Sequence, residues 1–239
     1  MDVKELSLVK MDVKELKKIY YAEDAPKGDK RDIFNCQNSV YLVNGIAVDI
    51  LFIGSSNTER FEIYPYFSKY GTVVNRGIGG EATKSLLKRF DYDVLQLKPK
   101  VCVVQEGCNN TAELWRIEHA GKPITKEMVN AVLEEFESDM TEIIKRLKDN
   151  GIIPIIGTVF PIGVVDCRNA VILEENKIIK KLCKKEKVFC ADYYSALVSE
   201  DGITLGDFSI GDDLHLHALG YNQVAKTLYP ILDQIFNKE

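Results

Sequence analysis

The chain has 239 residues, of which 46% are hydrophobic and 28% are charged, and its formal net charge is -5. This length and composition suit one large soluble domain with a substantial core. The negative charge argues against nucleic acid or an anionic membrane surface as a partner.

Residues 1–35 are predicted to form an amphipathic helix followed by a linker. Six apolar residues recur at helical spacing along one stripe, namely Val3, Leu6, Val9, Val13, Leu16 and Tyr20. Such a helix could dock on the domain that we expect over residues 36–239, or on a second copy of the chain to make a homo-oligomer. The hexapeptide Met1-Asp-Val-Lys-Glu-Leu6 recurs at residues 11–16, which is too short a unit for a repeat fold.

The start of the chain lacks the basic and apolar regions of a secretory signal. No apolar run approaches the ~20 residues that a membrane span needs. The six cysteines form no C-x-x-C pair, and Cys102 and Cys190 fall within apolar, strand-like runs. We therefore expect reduced thiols in a cytoplasmic protein without a membrane span.

After the linker, strand and helix patterns alternate. Residues 40–43 and 46–48 flank Asn44-Gly45, and this arrangement predicts a hairpin because Asn-Gly favours a type I′ turn. A buried strand then ends at Gly54. Further strands are predicted at 72–75, 100–105, 152–158 and 187–192, and helices over 81–97, 125–150, 169–185 and 219–236. This alternation predicts an α/β fold with a parallel sheet that is covered on both faces.

The first chemical motif is Gly54-Ser55-Ser56, where the first core strand stops. Ligands of open α/β sheets bind at the carboxyl ends of the strands, so a serine here is a candidate nucleophile. Alternation along the strand does not choose between Ser55 and Ser56. The ordinary alternative is that a serine caps the following helix.

The second motif is Gly77-Ile-Gly-Gly80, between a strand and a helix. Residues 77–82 formally fit the dinucleotide pattern G-x-G-x-x-G/A, which would make the protein a flavodoxin-like nucleotide-binding module. The acidic residue that this pattern needs about twenty positions later is absent, and Glu106 comes too late. A glycine N–H that binds an anionic oxygen, or a simple tight turn, are the alternatives.

The third motif is Gly107-Cys108-Asn109, after another core strand. The Asn109 amide could cap a turn, or it could stabilise an oxyanion beside a serine nucleophile. Cys108 is a weaker candidate nucleophile, since no neighbour in the sequence would lower the pKa of its thiol.

The fourth motif is Asp212-Asp-Leu-His215-Leu-His217, just before the last helix. An Asp and a His at this spacing can orient and supply a general base for the serine. The two histidines also suit part of a metal site, but His119 is the only other histidine in the chain. We therefore favour catalysis and expect no metal.

The order of these four motifs resembles that of the SGNH, or GDSL-like, hydrolases. The resemblance covers about residues 48–221 and implies a three-layer α/β/α flavodoxin-like sandwich with a central parallel sheet of about five strands. It assigns the catalytic triad to Ser56, Asp212 and His215, and the oxyanion hole to Ser56, Gly80 and Asn109. Two residues depart from the family pattern, because Ser55 and Asn110 stand where the family usually has Asp.

The resemblance implies a serine esterase without a cofactor that hydrolyses a small-molecule ester. A small or short-chain acyl ester, such as an acetylated carbohydrate, is the favoured substrate. A lysophospholipase, a thioesterase of the same fold, or a non-catalytic binding module are the alternatives. Trp115 and His217, together with Asn110, are candidate substrate-pocket residues, and for Trp115 a packing role is equally open.

Overall fold

The computed structural model describes residues 29–237. The helix predicted over Val3 to Tyr20, and the contact with a second copy that it could make, lie outside the described residues. Within residues 29–237, no helix combines the length and the apolar character that are needed to cross a bilayer.

A five-stranded sheet forms the centre of the fold, and all of its strands run parallel in the order β2-β1-β3-β4-β5. The strands are β1 (Ile50–Gly54), β2 (Val73–Gly77), β3 (Val101–Gln105), β4 (Ile153–Gly157) and β5 (Phe189–Ala191). Every residue of β1 and of β3 is buried, in keeping with their apolar sequences, which Gln105 at the end of β3 alone interrupts with a polar side chain. The chain order reverses between β1 and β3, and ligand sites of open sheets lie at such a switch point.

In the part of the chain that the structure describes, nine α-helices surround or extend this sheet. They are α1 (Asp29–Val43), α2 (Ser56–Glu59), α3 (Tyr64–Phe67), α4 (Thr83–Phe90), α5 (Ala112–His119), α6 (Lys126–Asp149), α7 (Cys167–Glu186), α8 (Tyr193–Leu197) and α9 (Ala218–Phe236). Two short 3₁₀ turns, Ser68–Tyr70 and Cys108–Thr111, and one π-helical turn, Asp91–Leu95, complete the elements of the described residues.

The helices form one layer on each side of the sheet. Leu51 and Ile53 of β1 pack in a core cluster with α4, α6 and α7, whereas Ile50 and Phe52 point to the opposite cluster with α3, α8 and α9. The two faces of a strand alternate residue by residue, so one apolar strand supplies both cores. The predicted three-layer α/β/α sandwich with a flavodoxin-like sheet is confirmed.

The predicted hairpin at residues 40–48 is wrong, because residues 40–43 are the last turn of α1. Gly45 has a φ of 62°, and the Ile46 N–H donates to the Tyr41 carbonyl at 2.9 Å. Asn-Gly supplies the left-handed residue that ends a helix as readily as it supplies a type I′ turn. Helix α1 also crosses the boundary expected between residues 35 and 36, so residues 29–35 are not a linker. The rest of the domain division stays a prediction.

Helix α1 is anchored by a buried group of charged side chains below the carboxyl end of β2. Arg31, Arg89 and Asp93 are 3%, 1% and 0% exposed, and both arginines form ion pairs with Asp93. Arg76 is 1% exposed, and its guanidinium donates to the Asn38 side chain of α1 at 2.6 Å. A buried charge is tolerated only when it is paired and hydrogen-bonded, so this group fixes α1 against the domain.

We expect that Asp93→Ala destabilises the protein by about 3–5 kcal/mol, because it leaves two buried arginines without their shared carboxylate. Urea denaturation followed by circular dichroism measures this loss. Asp91→Ala is the matched control, since Asp91 lies in the same π-helical turn but pairs with Arg146 at the surface with 64% of its side chain exposed. Its cost should stay below about 1 kcal/mol. Equal costs for the two variants would contradict the structural role of the buried group.

Candidate active site

Ser56 is the first residue of α2, directly after the carboxyl end of β1. The turn is tight, because a Cβ at Gly54 would lie 2.1 Å from the Gln105 carbonyl oxygen. Ser56 is half-buried, and its N–H is at the start of a helix, where backbone donors have no partner within the helix. Ser55 occupies the N-cap position, but its side chain makes no capping hydrogen bond. The capping alternative therefore does not account for the Ser55 side chain.

Two further side chains complete a hydrogen-bonded row with Ser56. The Ser56 Oγ lies 2.8 Å from His215 Nε2, and His215 Nδ1 lies 2.6 Å from Asp212 Oδ2. Asp212 Oδ1 also accepts the backbone N–H groups of Leu214 and His215 at 3.1 and 2.9 Å. The structure thus brings together the three residues to which the resemblance assigned the triad.

The charge state of Asp212 determines what His215 can do. Burial by itself would raise the pKa of Asp212, but the hydrogen bonds from the His215 side chain and from the backbone lower that pKa to about 2. An ionised carboxylate only accepts hydrogen bonds, so His215 must donate from Nδ1. Its Nε2 is then free to accept the proton of the Ser56 hydroxyl.

Asn57 was missed by the sequence analysis, although it directly follows the predicted nucleophile. Its amide donates to the Leu214 carbonyl at 3.0 Å and accepts the Leu216 N–H at 3.1 Å, so it grips the backbone on both sides of His215. The Tyr221 hydroxyl, from α9, donates to the Asn57 carbonyl at 2.9 Å. These contacts hold the segment that carries the base against α2.

The expected oxyanion residues lie around the same cavity of about 420 Å³, which Ser56, Gly80, Asn109 and His215 all line. Gly80 has a φ of 80°, a left-handed conformation that favours glycine. Asn109 Nδ2 donates one hydrogen bond to the Glu81 carbonyl at 2.7 Å. An amide nitrogen carries two N–H groups, so the second one remains for a ligand in the cavity.

The glycine loop between β2 and α4 is poorly suited to phosphate. The Gly79 N–H donates to the Glu59 carboxylate, and the Gly77 N–H donates to the Asn75 side chain at 2.8 Å. A phosphate would need these backbone donors and would meet a carboxylate instead. This geometry argues against the nucleotide-binding alternative.

Cys108 lines the cavity but lacks the features of a nucleophile. Burial raises the pKa of its thiol to about 12, and the lowering effect of Arg168 does not offset this. Since the thiolate is the reactive form, the thiol is inert near neutral pH.

A second cavity of about 680 Å³ adjoins the first, and both are lined by Asn109 and Leu214. Trp115 lines this second cavity with its ring stacked on His119 at 4.7 Å between centroids. The Arg168 guanidinium lies 5.6 Å from the Trp115 centroid. Trp115 is therefore placed where a substrate beside the triad could contact it.

The other two predicted pocket residues, Asn110 and His217, line neither of the two cavities beside the triad, and their role in a substrate pocket stays a prediction. Asn110 bonds to Thr83 through both ends of its amide, at 3.3 Å to the N–H and 2.8 Å to the hydroxyl, and lines a separate depression. His217 is the N-cap of α9, where Nδ1 accepts the Leu219 N–H at 3.1 Å. Its Nε2 lies 2.9 Å from the Asp207 carbonyl. Protein groups thus engage both side chains, Thr83 for Asn110 and the backbone of Leu219 and Asp207 for His217.

In residues 29–237, one group of three potential metal-binding side chains was found, namely Glu118, Asp166 and Cys167. Neither histidine of the fourth motif belongs to it. His215 instead contacts Ser56 and Asp212, which suits a base better than a ligand.

Comparison with known proteins places these features in a family context. The family model for the GDSL-like Lipase/Acylhydrolase family matches residues 52–223. A curated relative, the uncharacterized lipoprotein YqeF of Bacillus subtilis (strain 168), is 29% identical over 129 residues, which are 48% of this chain and 49% of the relative. The chain therefore spans about half the length of this curated relative.

Crystal structures share the fold at low sequence identity. A GDSL-like lipase from Bacteroides thetaiotaomicron VPI-5482 aligns with a TM-score of 0.66 and 21% identity, over 84% of this chain and 98% of the other. Axe2, an acetylxylan esterase from Geobacillus stearothermophilus, aligns with a TM-score of 0.62 and 20% identity, over 78% of this chain and 95% of the other.

We expect that Ser56→Ala abolishes hydrolysis of a short-chain aryl ester, whereas Ser55→Ala keeps most of it. Only Ser56 has its hydroxyl within hydrogen-bond distance of His215. Initial rates and covalent labelling by a fluorophosphonate probe measure both variants. The opposite ranking would move the nucleophile to Ser55.

A second pair of variants distinguishes the general base, His215, from the helix cap, His217. His215→Ala should lower kcat by several orders of magnitude, as loss of a triad base does. His217→Ala should change kcat by less than about tenfold and should cost about 1 kcal/mol of stability, because it removes a helix cap. Measurement of kcat and urea unfolding for both variants checks the assignment, and a larger kcat loss for His217→Ala would overturn it.

Proposed function

The chain belongs to the GDSL-like lipase/acylhydrolase family, and from this premise we propose that it is a serine esterase acting on small or short-chain acyl esters. The observation that carries the proposal is the row from Ser56 Oγ to His215 to Asp212, with distances of 2.8 and 2.6 Å. It supplies a nucleophile, a general base and a group that orients the base, which acyl transfer requires.

In the proposed acylation step, His215 Nε2 takes the proton of the Ser56 hydroxyl as Oγ attacks the ester carbonyl. Asp212 is ionised and holds the imidazole through Nδ1, so it stabilises the positive charge that forms on the ring. The protonated His215 then gives its proton to the leaving alcohol, and the acyl group remains on Ser56.

The tetrahedral oxyanion would be stabilised by the N–H groups of Ser56 and Gly80 and by the Asn109 amide. Removal of one such donor costs roughly 10²–10³ in turnover in a well-studied hydrolase. In deacylation, His215 removes a proton from water, and the hydroxide attacks the acyl carbonyl. The bond between the acyl carbon and Ser56 Oγ then breaks, the protonated His215 gives its proton to Oγ, and the acid leaves.

We propose that the alcohol part of the ester is a sugar, so that the substrate is an acetylated carbohydrate. Trp115 offers a flat aromatic surface in the 680 Å³ cavity, and the polar side chains of Arg116 and Asp213 line the same cavity. Aromatic faces with polar groups around them suit a sugar ring, which has both C–H faces and hydroxyls. The acetylxylan esterase of the same fold is consistent with such a substrate.

The second candidate substrate is an ester with a longer acyl chain, such as the substrate of a lysophospholipase. Val164 and Val165 line the larger cavity and are 37% and 77% exposed. Exposed apolar side chains at the edge of a site suit an extended hydrocarbon chain. The acyl-chain preference therefore distinguishes the two candidates.

A series of aryl esters from acetyl to decanoyl tests the acyl preference through kcat/KM. We expect kcat/KM to be highest for acetyl or butyryl and to fall for longer chains. A maximum at octanoyl or decanoyl would favour the lipase-like candidate. Absence of turnover on every ester, together with absence of fluorophosphonate labelling, would contradict the proposed esterase function.

Trp115→Ala tests the sugar site. It should lower kcat/KM for an acetylated xylo-oligosaccharide by about tenfold or more, since burial of a large apolar side chain contributes about 1.5–3 kcal/mol. It should leave kcat/KM for a small alkyl acetate within about twofold. Trp115→Phe is the control, because it keeps an aromatic face and should lose less. Equal losses on both substrates would show that Trp115 serves only packing.

A further inference from the structure

Two buried carboxyl side chains lie behind the loop that carries Asn109. Glu106 directly follows β3 and is 1% exposed, and Glu175, on α7, is 0% exposed. Among residues 29–237, none of their four carboxyl oxygens has a hydrogen-bond partner of normal distance and angle, although the Ser55 hydroxyl and the Gly107 N–H lie towards Glu106. Buried polar groups are nearly always hydrogen-bonded, so this pair calls for a physical explanation.

Both side chains lie against the backbone of the catalytic loops. Glu106 immediately precedes Gly107, whose φ is 138°. A Cβ at Gly107 would lie 3.3 Å from Glu175 Oε2 and 2.3 Å from Val159 Cγ2. Helix α7 and the loop after β4 are therefore packed closely against this turn. The next residues, Cys108 and Asn109, begin the 3₁₀ turn that lines the cavity.

Polar and charged groups from several segments face Glu106. The hydroxyl of Ser55 and the N–H of Gly107 face it, as do Arg89 from α4 and Glu81 from the loop before α4. Arg89 donates to Glu81 at 2.6 Å and to Asp93 at 2.8 Å, and its other hydrogen bonds go to the carbonyls of Arg76 and Gly54. The Arg89 guanidinium thus directs its hydrogen bonds to groups other than the Glu106 carboxyl.

Among residues 29–237, no cationic side chain pairs with Glu175. Glu106 faces Glu175 and disfavours its charge, and Cys108 lies near both carboxyls. Arg168 and Asp166 are also charged neighbours of Cys108, and the Arg168 guanidinium donates a hydrogen bond to the Asp166 carboxylate at 2.6 Å. The remaining contact at Gly107 is apolar, from Phe136 of α6.

An ionised carboxylate without a partner is very costly in such an interior, whereas the neutral acid is tolerated. Burial raises the pKa of Glu106 to about 8, although Ser55 and Arg89 oppose the shift. Burial and the neighbouring Glu106 raise the pKa of Glu175 well above its ordinary value of 4.5.

We propose that Glu106 and Glu175 are positioning residues that remain protonated at neutral pH, and that their ionisation in alkali displaces the Gly107–Asn109 loop and lowers turnover. This inference rests on the proposed esterase function, because it acts through the Asn109 oxyanion donor. On ionisation, each carboxylic acid releases its proton to water, and two like charges then face each other in a dry interior. Their repulsion moves the loop without any contact with the substrate.

The stability of the folded protein should follow the same ionisation. The folded-state pKa values lie above the unfolded value, so the folded state retains protons that the unfolded chain has released. The contribution of Glu106 is fully present below pH 4.5 and is lost as the pH rises towards about 8, and that of Glu175 is likewise lost as the pH rises above 4.5.

The test is the pH profile of kcat and KM from pH 6 to 10 on an acetyl ester, with the uncatalysed rate subtracted. We expect the wild-type kcat to fall above about pH 8, by up to tenfold per pH unit, with KM changed by less than about threefold. In the variant Glu106→Gln/Glu175→Gln, this alkaline fall should be absent. Glu174→Gln is the matched control, since Glu174 is the exposed neighbour of Glu175 on α7 and should keep the wild-type profile.

A kcat that stays constant to pH 10 in the wild-type enzyme would overturn the proposal, as would an alkaline fall retained in the double variant. Infrared spectroscopy of the wild-type protein gives a second test that needs neither a variant nor turnover. A carbonyl band of protonated carboxylic acid should be present at pH 7 and lost by pH 10, and its absence at pH 7 would contradict the proposal. If no ester is hydrolysed, the esterase proposal fails while the infrared result still decides the protonation of the pair.

Discussion

The side-chain amide of Asn57 joins the two segments that carry Ser56 and His215, which are 159 positions apart in the chain. One end of the amide donates to the Leu214 carbonyl, and the other accepts the Leu216 N–H. Because His215 lies between these two anchored residues, its ring can be held 2.8 Å from the Ser56 hydroxyl. Such positioning converts an encounter of two mobile groups into a fixed geometry, and the geometry supplies a large share of catalysis.

The same site depends on backbone segments that approach each other very closely. Gly54 and Gly77 are Cα partners in the sheet, and a Cβ at either would lie 2.1 Å from backbone of a neighbouring segment. Glycine at these two positions lets α2 sit directly on the ends of β1, β2 and β3. The parallel sheet places strand ends at one edge, and the close approach then brings Ser56, Gly80 and Asn109 around a single cavity.

The buried ionisable side chains avoid an uncompensated charge in two different ways. The Arg31, Arg89 and Asp93 group is buried but paired, and it fixes α1 and the loop after β2. Glu106 and Glu175 are buried without such partners, so protonation is the route by which they avoid an uncompensated charge. Desolvation thus constrains both groups, and Glu175 lies directly against the turn at Gly107.

The sequence by itself determined the fold class and the four motifs, because strand and helix periodicity and the residues at strand ends are local properties. It also predicted that His217 would not act as the base. Only the tertiary structure decided that residues 40–43 end a helix, since Asn-Gly suits a helix end and a hairpin equally well and the anchoring by Arg76 is long-range. Likewise, the hydrogen bonds of Asn110 to Thr83 and of Asn57 to the His215 segment depend on contacts between distant residues. A single sequence does not encode those contacts in any local pattern, because they arise only when the strands have been ordered in the sheet.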